Sequence, residues 1–529
     1  MSTPPDSTAV LIAGGGPVGL AAAMELGTRG VECVVLEPRA EVSFLRPRAK
    51  TTSIRTMEHF RRWGLADEIR KAAPLPVSWS QDAVFGTNLL GHEITRFTDC
   101  FGLTPHPAQH FAESGQQVPQ PIVETVLREA VAQLPNVTFA TGWALSGLRE
   151  SDTEVTVDAV HTDGTRHTVS ARYVLGCDGS DSRTRTCLGA RLEGTQDALS
   201  NLNIVFRAPG LAERVPYGPA VHYWVFNPRV TGVMGRFDLA DTWWAGASAR
   251  GADTDIAGLL ADLVGAEIEA EILSTDEWSA RMQIADRFGS ERVFLVGEAA
   301  HLNPPWGGHG FNTGIGDAVN IGWKLAATLA GWGGAGLPAS YEPERRAIAV
   351  RTVAETVANM QAVLRIKDAE PSGVAEAIQR GMAAEFHSLG LVLGYRYEDS
   401  PVIVADGADE PGADSGDGPL TYTPSTRPGS RLPHDWLADG RSLYDALGPQ
   451  LTLIDLSGNG STTAAFVEAA RVVGVDLVVF DHTQAQETVY RDGTASALLV
   501  RPDQHIAYRQ TGDVSVAEAE SVLRTVLGY

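Results

Sequence analysis

The sequence predicts an α/β fold built on a parallel sheet and carrying additional α+β segments. Three features favour it: a strand–helix–strand pattern at the N-terminus, a glycine-rich turn inside that pattern, and further short apolar runs separated by helical spacing along the 529 residues. Apolar runs that alternate with amphipathic helices are typical of this class. The length is sufficient for two or three domains.

The N-terminal segment holds one complete strand–helix–strand unit. Residues 9–13 form a short apolar run typical of a buried strand, residues 17–29 have helical spacing, and residues 31–36 form a second apolar run. Because a helix separates the two strands, we expect them to be parallel neighbours in one sheet.

The turn after the first strand has the spacing of a dinucleotide-binding loop. Gly14, Gly16 and Gly19 form a G-x-G-x-x-G pattern, and Pro17 opens the helix. Such glycines permit a tight turn, let the backbone approach a pyrophosphate, and allow the helix to pack closely on the strand. Glu37, at the end of the second strand, can accept hydrogen bonds from ribose hydroxyls and would repel a 2′-phosphate. FAD or NAD is therefore expected here.

The composition excludes several other functions. With 42 basic and 65 acidic residues the net charge is −23, which disfavours nucleic acid and anionic membrane surfaces as partners. The four cysteines form no C-x-x-C pair and no zinc spacing, so we expect a reduced cytoplasmic compartment and no metal site. No apolar run is long enough to span a bilayer.

The later part of the chain divides into a sheet, a linker and a small domain. Alternating, aromatic-rich residues between about 200 and 285 indicate a separate sheet, which we assign to a substrate. Residues 405–420 are acidic and rich in glycine and proline, which predicts a linker. The other expected elements are strands at 137–148, 236–239, 451–455, 475–480 and 497–501 and helices at 121–134, 317–330 and 462–472.

Two further motifs give the sequence a family resemblance. Residues 174–185 read VLGCDGSDSRTR after a strand, and residues 292–324 read RVFLVGEAAHLNPPWGGHGFNTGIGDAVNIGWK. With the N-terminal turn, they resemble the DG and GD motifs of the class A FAD-dependent aromatic hydroxylases, the flavoprotein monooxygenases related to p-hydroxybenzoate and phenol hydroxylase. The resemblance covers residues 8–350.

The resemblance implies an FAD site assembled from distant parts of the chain. Glu298 replaces the usual aspartate of the GD motif and keeps a carboxylate for the ribityl hydroxyls. Amides at the start of the following helix would stabilise negative charge on the flavin. Beyond the N-terminal turn and Glu37, the implied contacts are Arg48, Gln120, Leu145, Asp178, Glu298, Pro305, Gly308, Gly310, Phe311 and Asn312.

The resemblance also implies the domain arrangement. A Rossmann-like FAD-binding domain is interleaved with a substrate-binding sheet domain and followed by a thioredoxin-like α/β domain, which lacks C-x-x-C. The expected boundaries are 1–75, 111–195 and 286–345 for FAD, 76–110 and 196–285 for substrate, 346–404 for a helical connection, 405–420 for the linker, and 421–529 for the C-terminal domain.

The activity implied is hydroxylation of a phenolic or polycyclic polyketide-type aromatic substrate. O2 is the cosubstrate, the oxygen is transferred from a C4a-hydroperoxyflavin, and NADPH or NADH is a transient reductant. Residues 331–336 repeat the glycine spacing, but they follow a helix and are interpreted as the loop that ends it. The resemblance further suggests antibiotic biosynthesis and a possible homodimer.

Candidate substrate contacts come from the aromatic sheet and the GD motif. Pro305 resembles the proline beside the hydroxylation site, and Trp306 and His222 are the other catalytic candidates. The pocket wall is expected to include Tyr223, Trp224, Phe237 and Trp306, although each can equally be a core residue. Either His92 or His222 could be the base that deprotonates a phenol.

Two other functions stay open at this point. A Baeyer–Villiger or other oxygenation of a polycyclic secondary metabolite would use the same cofactor and give a different product. A flavin-binding protein without turnover is the second alternative, and Glu298 is the motif departure that favours it.

Overall fold

The computed structural model describes residues 3–44, 50–105, 108–248, 254–367, 373–405, 418–458, 460–483, 485, 487–491 and 495–529. Its strands are β1 (Ser7–Ala13), β2 (Cys33–Glu37), β3 (Thr51–Thr52), β4 (Ala83–Gly86), β5 (Glu93–Phe97), β6 (Gln116–Gln117), β7 (Val137–Thr141), β8 (Trp143–Glu150), β9 (Val155–His161), β10 (Arg166–Gly176), β11 (Leu192–Arg207), β12 (His222–Phe226), β13 (Thr231–Arg236), β14 (Thr242–Ser248), β15 (Glu271–Ala285), β16 (Val293–Leu295), β17 (His301–Leu302), β18 (Leu451–Asp455), β19 (Leu477–Asp481), β20 (Ala497–Val500) and β21 (Ile506–Gln510).

The helices are α1 (Pro17–Gly27), α2 (Ile54–Arg62), α3 (Ala66–Ala72), α4 (Gln120–Val131), α5 (Arg183–Cys187), α6 (Ile256–Val264), α7 (His309–Ala330), α8 (Gly336–Ala339), α9 (Tyr341–Lys367), α10 (Val374–Gly381), α11 (Ala383–Phe386), α12 (Leu389–Val392), α13 (Gly460–Val473), α14 (Thr488–Arg491) and α15 (Val516–Val526).

The first sheet carries the N-terminal glycine turn. Its strand order is β7-β2-β1-β10-β9-β8, and β16 also pairs with β10. β7, β2, β1, β10 and β16 run parallel, whereas β9 and β8 are antiparallel additions. Both faces of β1 are covered, since Val10, Leu11 and Ile12 are fully buried. The predicted strand–helix–strand unit is confirmed, with boundaries shifted by two or fewer residues.

Two expected strands differ in the structure. The strand predicted at 137–148 is two strands, because the chain turns at Gly142 with φ +84°. The strand predicted at 236–239 is wrong, since Arg236 ends β13 and its side chain donates to the carbonyl oxygen of Asp238 at 3.1 Å. A reversal over residues 237–241 then leads into β14.

The second sheet has the strand order β17-β15-β11-β14-β13-β12-β4-β5. One of its faces is covered by α6, whose Leu259 and Leu263 pack against Met234 and Trp243. The opposite face is aromatic and packs against the segments that contain α9, α10 and α11. This aromatic face is the one that adjoins residues 305–308.

Helix α7 begins at His309, eight residues before the predicted start. Glycines at 310, 314 and 316 lower helix propensity and hid this first part from the sequence analysis. Packing explains Gly314, because a Cβ there would lie 2.8 Å from Cγ2 of Val18 in α1. The helix ends at Gly331, φ +82°, as the interpretation of residues 331–336 predicted.

The C-terminal segment forms a small sheet of order β19-β18-β20-β21, covered by α13 and α15. The predicted strands and the helix near 462–472 are all present. Its core is continuous with Trp323 and Leu337 of the preceding domain. In the described part of the chain, no helix is both long enough and apolar enough to cross a bilayer.

Candidate active site

The glycine turn has the geometry of a pyrophosphate site. Gly14 adopts φ +101°, and a Cβ there would lie 2.4 Å from the carbonyl oxygen of Cys177. A Cβ on Gly19 would lie 1.9 Å from the carbonyl oxygen of Gly14. Gly16, in contrast, has no atom within 4 Å of the corresponding position, and α1 begins there without a side-chain cap. Packing thus requires Gly14 and Gly19, whereas the open space at Gly16 fits an approaching ligand.

Glu37 lies at the end of β2 beside this turn and is 3% exposed. Its Oε2 accepts from the backbone N–H of Gly15 at 2.8 Å, and its Oε1 accepts from Nε of Arg39 at 2.7 Å. One lone pair of Oε2 is left for a ribose hydroxyl. The carboxylate is therefore oriented before any ligand binds.

The DG motif residue Asp178 organises the loop after β10. Its Oδ1 accepts from the hydroxyl of Ser182, and its Oδ2 accepts from the backbone N–H of Thr184 at 2.8 Å. Arg185 then donates to the carbonyl oxygen of Ala299 at 3.0 Å. Asp178 thus fixes the start of α5, and the DG loop contacts the GD motif directly.

Glu298 lies in the short turn Gly297–Ala299 and is exposed. The backbone N–H of Gly297 donates to Oδ2 of Asp317 at 3.1 Å. A Cβ on Gly297 would lie 3.2 Å from the side chain of Val18, so this turn is close to the N-terminal part of α1. The exposed carboxylate fits a ribityl contact at the junction of α1 and α7.

Residues 305–308 form a tight loop that leads into α7. Pro305 is exposed, and Gly307 and Gly308 adopt φ +76° and +66°. Gly308 precedes α7 without a side-chain cap, so the first amides of the helix remain available. Asn312 is committed within the protein, since Oδ1 accepts from Ser53 N–H at 2.9 Å and Nδ2 donates to the carbonyl oxygen of Gly308 at 2.8 Å. An FAD contact at Asn312 would therefore come from its backbone.

The resemblance also implies FAD contacts from residues in several other elements. Gln120 opens α4 and is partly buried, and Gly310 and Phe311 lie in the first turn of α7. Leu145 is buried in the sheet core, which leaves its backbone for an adenine contact. Arg48 lies outside the described residues.

The aromatic face of the second sheet adjoins the 305–308 loop. Trp224 stacks on Phe85 with ring centroids 5.8 Å apart, and Trp306 packs in the same cluster. Tyr223 lies on the opposite face, where its hydroxyl donates to the carbonyl oxygen of Gly218 at 2.8 Å. The expectation that Tyr223 and Trp224 share a pocket wall is therefore wrong, because successive strand residues point to opposite faces. Phe237 follows β13 and is not part of the Trp224 cluster as described.

His222 lies close to Phe101 and Lys50, two residues that the sequence analysis did not identify. Its ring is 5.1 Å from that of Phe101 and 5.4 Å from that of Trp244, and the Lys50 ammonium group is 3.4 Å from the Trp244 ring centroid. Burial and the charge of Lys50 lower the pKa of His222 to about 3. Burial lowers the pKa of Lys50 to about 7. His92, the alternative base, is exposed in the turn between β4 and β5.

Glu385 in α11 is another residue that the sequence did not indicate. It is 3% exposed, and its Oε2 has no hydrogen-bond partner among the described residues. Burial raises its pKa to about 8, an effect partly offset by a hydrogen bond from the Gly307 backbone. The uncharged carboxyl thus lies against the loop that precedes α7.

The same loop contacts His309, whose ring occupies the position that a side chain on Gly307 would need. Burial lowers the pKa of His309 to about 4, so the imidazole is neutral at pH 7. A cavity of about 20 Å³, which has room for about one water, is lined in part by Gly307, His309 and Phe101. Phe101 thus contacts both this small cavity and the His222 ring.

Comparison with known proteins gives this site its context. The family profile described as "FAD binding domain" matches residues 7–356, and that of "Aromatic-ring hydroxylase, C-terminal" matches residues 425–529. Aklavinone 12-hydroxylase RdmE of Streptomyces purpurascens is 31% identical over 565 residues, which cover 98% of each chain.

Solved structures agree over the full length. The rebeccamycin biosynthetic enzyme RebC with reduced flavin superposes with a TM-score of 0.88 at 32% identity, covering 99% of this chain and 100% of RebC. A ternary complex of aklavinone-11 hydroxylase with FAD and aklavinone has a TM-score of 0.83 at 27% identity and covers all of both chains. The glycine turn, the DG and GD motifs and both profile matches agree, and the chain belongs to the FAD-dependent aromatic-ring hydroxylases.

Proposed function

We propose that this protein hydroxylates a phenolic, polycyclic aromatic molecule, using O2 and electrons from NADPH or NADH. The observation that carries the proposal is the aromatic wall formed by the partly exposed Trp278 and Trp306 at the 305–308 loop. Flat aromatic side chains favour a flat aromatic ligand through stacking and edge contacts. The polyketide-type class is supported by the aklavinone hydroxylases among the relatives.

The residues present fit FAD in an extended arrangement. The turn at Gly16 would hold the pyrophosphate, Glu37 the ribose, and Glu298 the ribityl chain. The uncapped start of α7 would place amides near the flavin ring and favour its anionic reduced form. Bound FAD supplies the electron transfer and the oxygen activation.

The aromatic wall also has a role beyond binding. If FAD supplies the oxygen activation, the residues around it would have to exclude water for the oxygen to reach the substrate. Trp306 is partly exposed in the 305–308 loop and packs edge-on against Trp278, with ring centroids 6.4 Å apart. We assign water exclusion to this pair.

Lys50 is better suited than His222 to accept the phenol proton. The lowered pKa of His222, about 3, makes its imidazole a weak base. The pKa of Lys50, about 7, leaves a large share of neutral amine at pH 7. In the proposed step the Lys50 Nζ takes the phenolic proton, and the resulting ammonium stabilises the more reactive phenolate.

Product analysis tests the proposal. The FAD-loaded protein is incubated with ¹⁸O2, NADPH or NADH, and a panel of naphthols and hydroxyanthraquinones, and the products are examined by mass spectrometry and NMR. One added ¹⁸O atom as a new aromatic hydroxyl supports the proposal, whereas a lactone indicates Baeyer–Villiger chemistry. Gly16→Ala is the matched control, because it is expected to fold and to bind FAD about tenfold or more weakly. Bound, reducible flavin with no oxygenated product across the panel contradicts the proposal.

A further inference from the structure

The C-terminal domain inserts a buried charged turn between two helices of the FAD-binding part. Residues 501–505 connect β20 to β21, and we call this segment the 501–505 turn. The Arg501 guanidinium donates to both carboxylate oxygens of Glu344, at 2.6 and 2.9 Å, and to Oδ2 of Asp503 at 2.6 Å. Nζ of Lys324 in α7 also donates to Oε2 of Glu344, at 2.7 Å. The side chains of these four residues are at most 3% exposed.

The same turn binds Arg55 in the first turn of α2. One guanidinium nitrogen of Arg55 donates to the carbonyl oxygen of Asp503 at 2.6 Å, and the other donates to Oε1 of Gln504. Gln504 is 1% exposed and adopts φ +64°, a conformation that costs a non-glycine residue free energy. Backbone hydrogen bonds support the same conformation, since Gln504 N–H donates to the Arg501 carbonyl oxygen at 2.9 Å and Leu432 N–H donates to the Gln504 carbonyl oxygen at 2.8 Å.

Arg55 lies next to the residues that position the start of α7. The backbone N–H of Ser53 and the hydroxyl of Thr56 both donate to Oδ1 of Asn312, at 2.9 and 2.7 Å. Nδ2 of Asn312 donates to the carbonyl oxygen of Thr51 at 3.0 Å. These hydrogen bonds connect the N-terminal end of α2 to the first turn of α7.

A second buried route reaches the GD motif. Arg345, adjacent to Glu344, donates to Oδ1 of Asp317 at 2.6 Å and to the carbonyl oxygen of Thr313 at 3.1 Å. Asp317 in turn accepts from the Gly297 backbone, which precedes Glu298. Arg345 also donates to the Tyr397 hydroxyl at 3.2 Å, and the Tyr397 ring packs on His505 with centroids 4.4 Å apart.

We infer that the 501–505 turn positions the flavin site, and that the C-terminal domain sets FAD affinity and flavin reduction potential through it. Arg55 and Gln504 are the positioning residues between the turn and α7. Buried charged groups are costly to leave unpaired, so both routes hold one arrangement rather than several. The inference is independent of the substrate and the reductant, and it gives the cysteine-free domain a role other than dithiol exchange.

Gln504→Asn is the primary test in the full-length protein. Asparagine tolerates positive φ, so the turn is kept, but its shorter amide does not reach Arg55. We expect FAD to bind apoprotein about tenfold more weakly, equivalent to about 1.4 kcal/mol, with a shifted visible spectrum and midpoint potential. Gln504→Glu keeps the side-chain length and the acceptor oxygen. We expect this variant to have the FAD affinity, visible spectrum and midpoint potential of the wild type.

Asp445→Ala is the matched control. Asp445 is also in the C-terminal domain and pairs with Arg61 at the other end of α2, at 2.6 Å. Its loss removes a cross-domain contact to the same helix without touching the residues around Asn312. The inference is overturned if Gln504→Asn keeps wild-type FAD affinity and potential, or if Asp445→Ala weakens FAD equally. Should Gln504→Asn fail to fold, Arg55→Lys is measured by the same criteria.

Discussion

The ammonium group of Lys50 lies 3.4 Å from the centroid of the Trp244 ring, with no carboxylate within 4 Å among the residues that the structure describes. Residues 45–49, which precede it, contain no acidic residue that could pair with it. A cation–π contact offsets only part of the cost of removing a charge from water. The charged form of Lys50 is therefore less stable in the folded protein than in the unfolded chain.

Replacing Lys50 with Met should stabilise the protein, and more so at low pH. The pKa of Lys50 falls from 10.5 to about 7 on folding, so the wild type loses stability as the pH drops from 10.5 towards 7. We expect Lys50→Met to gain on the order of 2 kcal/mol at pH 6.5 and clearly less at pH 9.5.

Urea denaturation of apoprotein at both pH values measures this difference. Lys71→Met, an exposed lysine on α3, is the control and should show no pH-dependent gain. A Lys50→Met protein that is less stable than wild type at pH 6.5 would contradict the assignment. Turnover of a phenol should fall in the same variant, because no amine is left to accept the proton.

The three glycines of the N-terminal turn should respond differently to alanine. Gly16 has φ −72° and open space around a Cβ, so Gly16→Ala is expected to change the stability of apoprotein by less than about 0.5 kcal/mol. Its methyl group occupies the pyrophosphate approach, and FAD affinity should fall about tenfold or more. Gly14→Ala should instead unfold the turn, since its Cβ overlaps the Cys177 carbonyl. Thermal melts and FAD titration separate the two outcomes, and equal destabilisation by both would refute this division.

The carboxyl of Glu385 should make stability fall as the pH rises from 4.5 to about 8. Folding raises its pKa from 4.5 to about 8, so stability is complete below pH 4.5 and declines as the pH rises to 8. Glu385→Gln removes this decline, which amounts to about 1.4 kcal/mol for each unit between the two pKa values. Denaturation curves at pH 5.5 and 8.5 give the comparison. Glu376→Gln, exposed on α10, should retain the wild-type slope, and the same slope in Glu385→Gln would disprove the burial argument.

Loss of the Trp306 indole should separate electron consumption from hydroxylation. In Trp306→Ala water enters on the side that packs against Trp278, so peroxide should replace product. We expect the product formed per NADPH to fall about tenfold, the effect of about 1.4 kcal/mol. Peroxide and product are quantified in the same reaction. The product formed per NADPH by Trp306→Phe should lie between the values for the wild type and Trp306→Ala. Unchanged coupling in the alanine variant would remove Trp306 from the wall.

The parts of the fold that depend on local patterns could be predicted from the sequence. The strand at β1, the glycine turn and Glu37 follow from short-range spacing, and they were located within two residues. The start of α7 could not be found, because packing against Val18 rather than helix propensity decides that glycines stand there. Period-two alternation would have separated Tyr223 from Trp224 once the strand was known.

The candidate site was less predictable than the fold. Lys50 and His222 approach each other only because the second sheet lies over the segment after β2, and no spacing in the sequence records that distance. Glu385 comes from a short helix far along the chain. Its proximity to Gly307 is a property of tertiary packing.

The pairing of β16 with β10 has a consequence for how the protein is made. During synthesis on the ribosome, the first strands emerge long before their last parallel neighbour, and the 501–505 turn leaves the exit tunnel later still. A nascent chain cannot complete this parallel sheet before residue 295 has been made, so the strand beside the N-terminal turn gains its last neighbour only when the GD motif emerges.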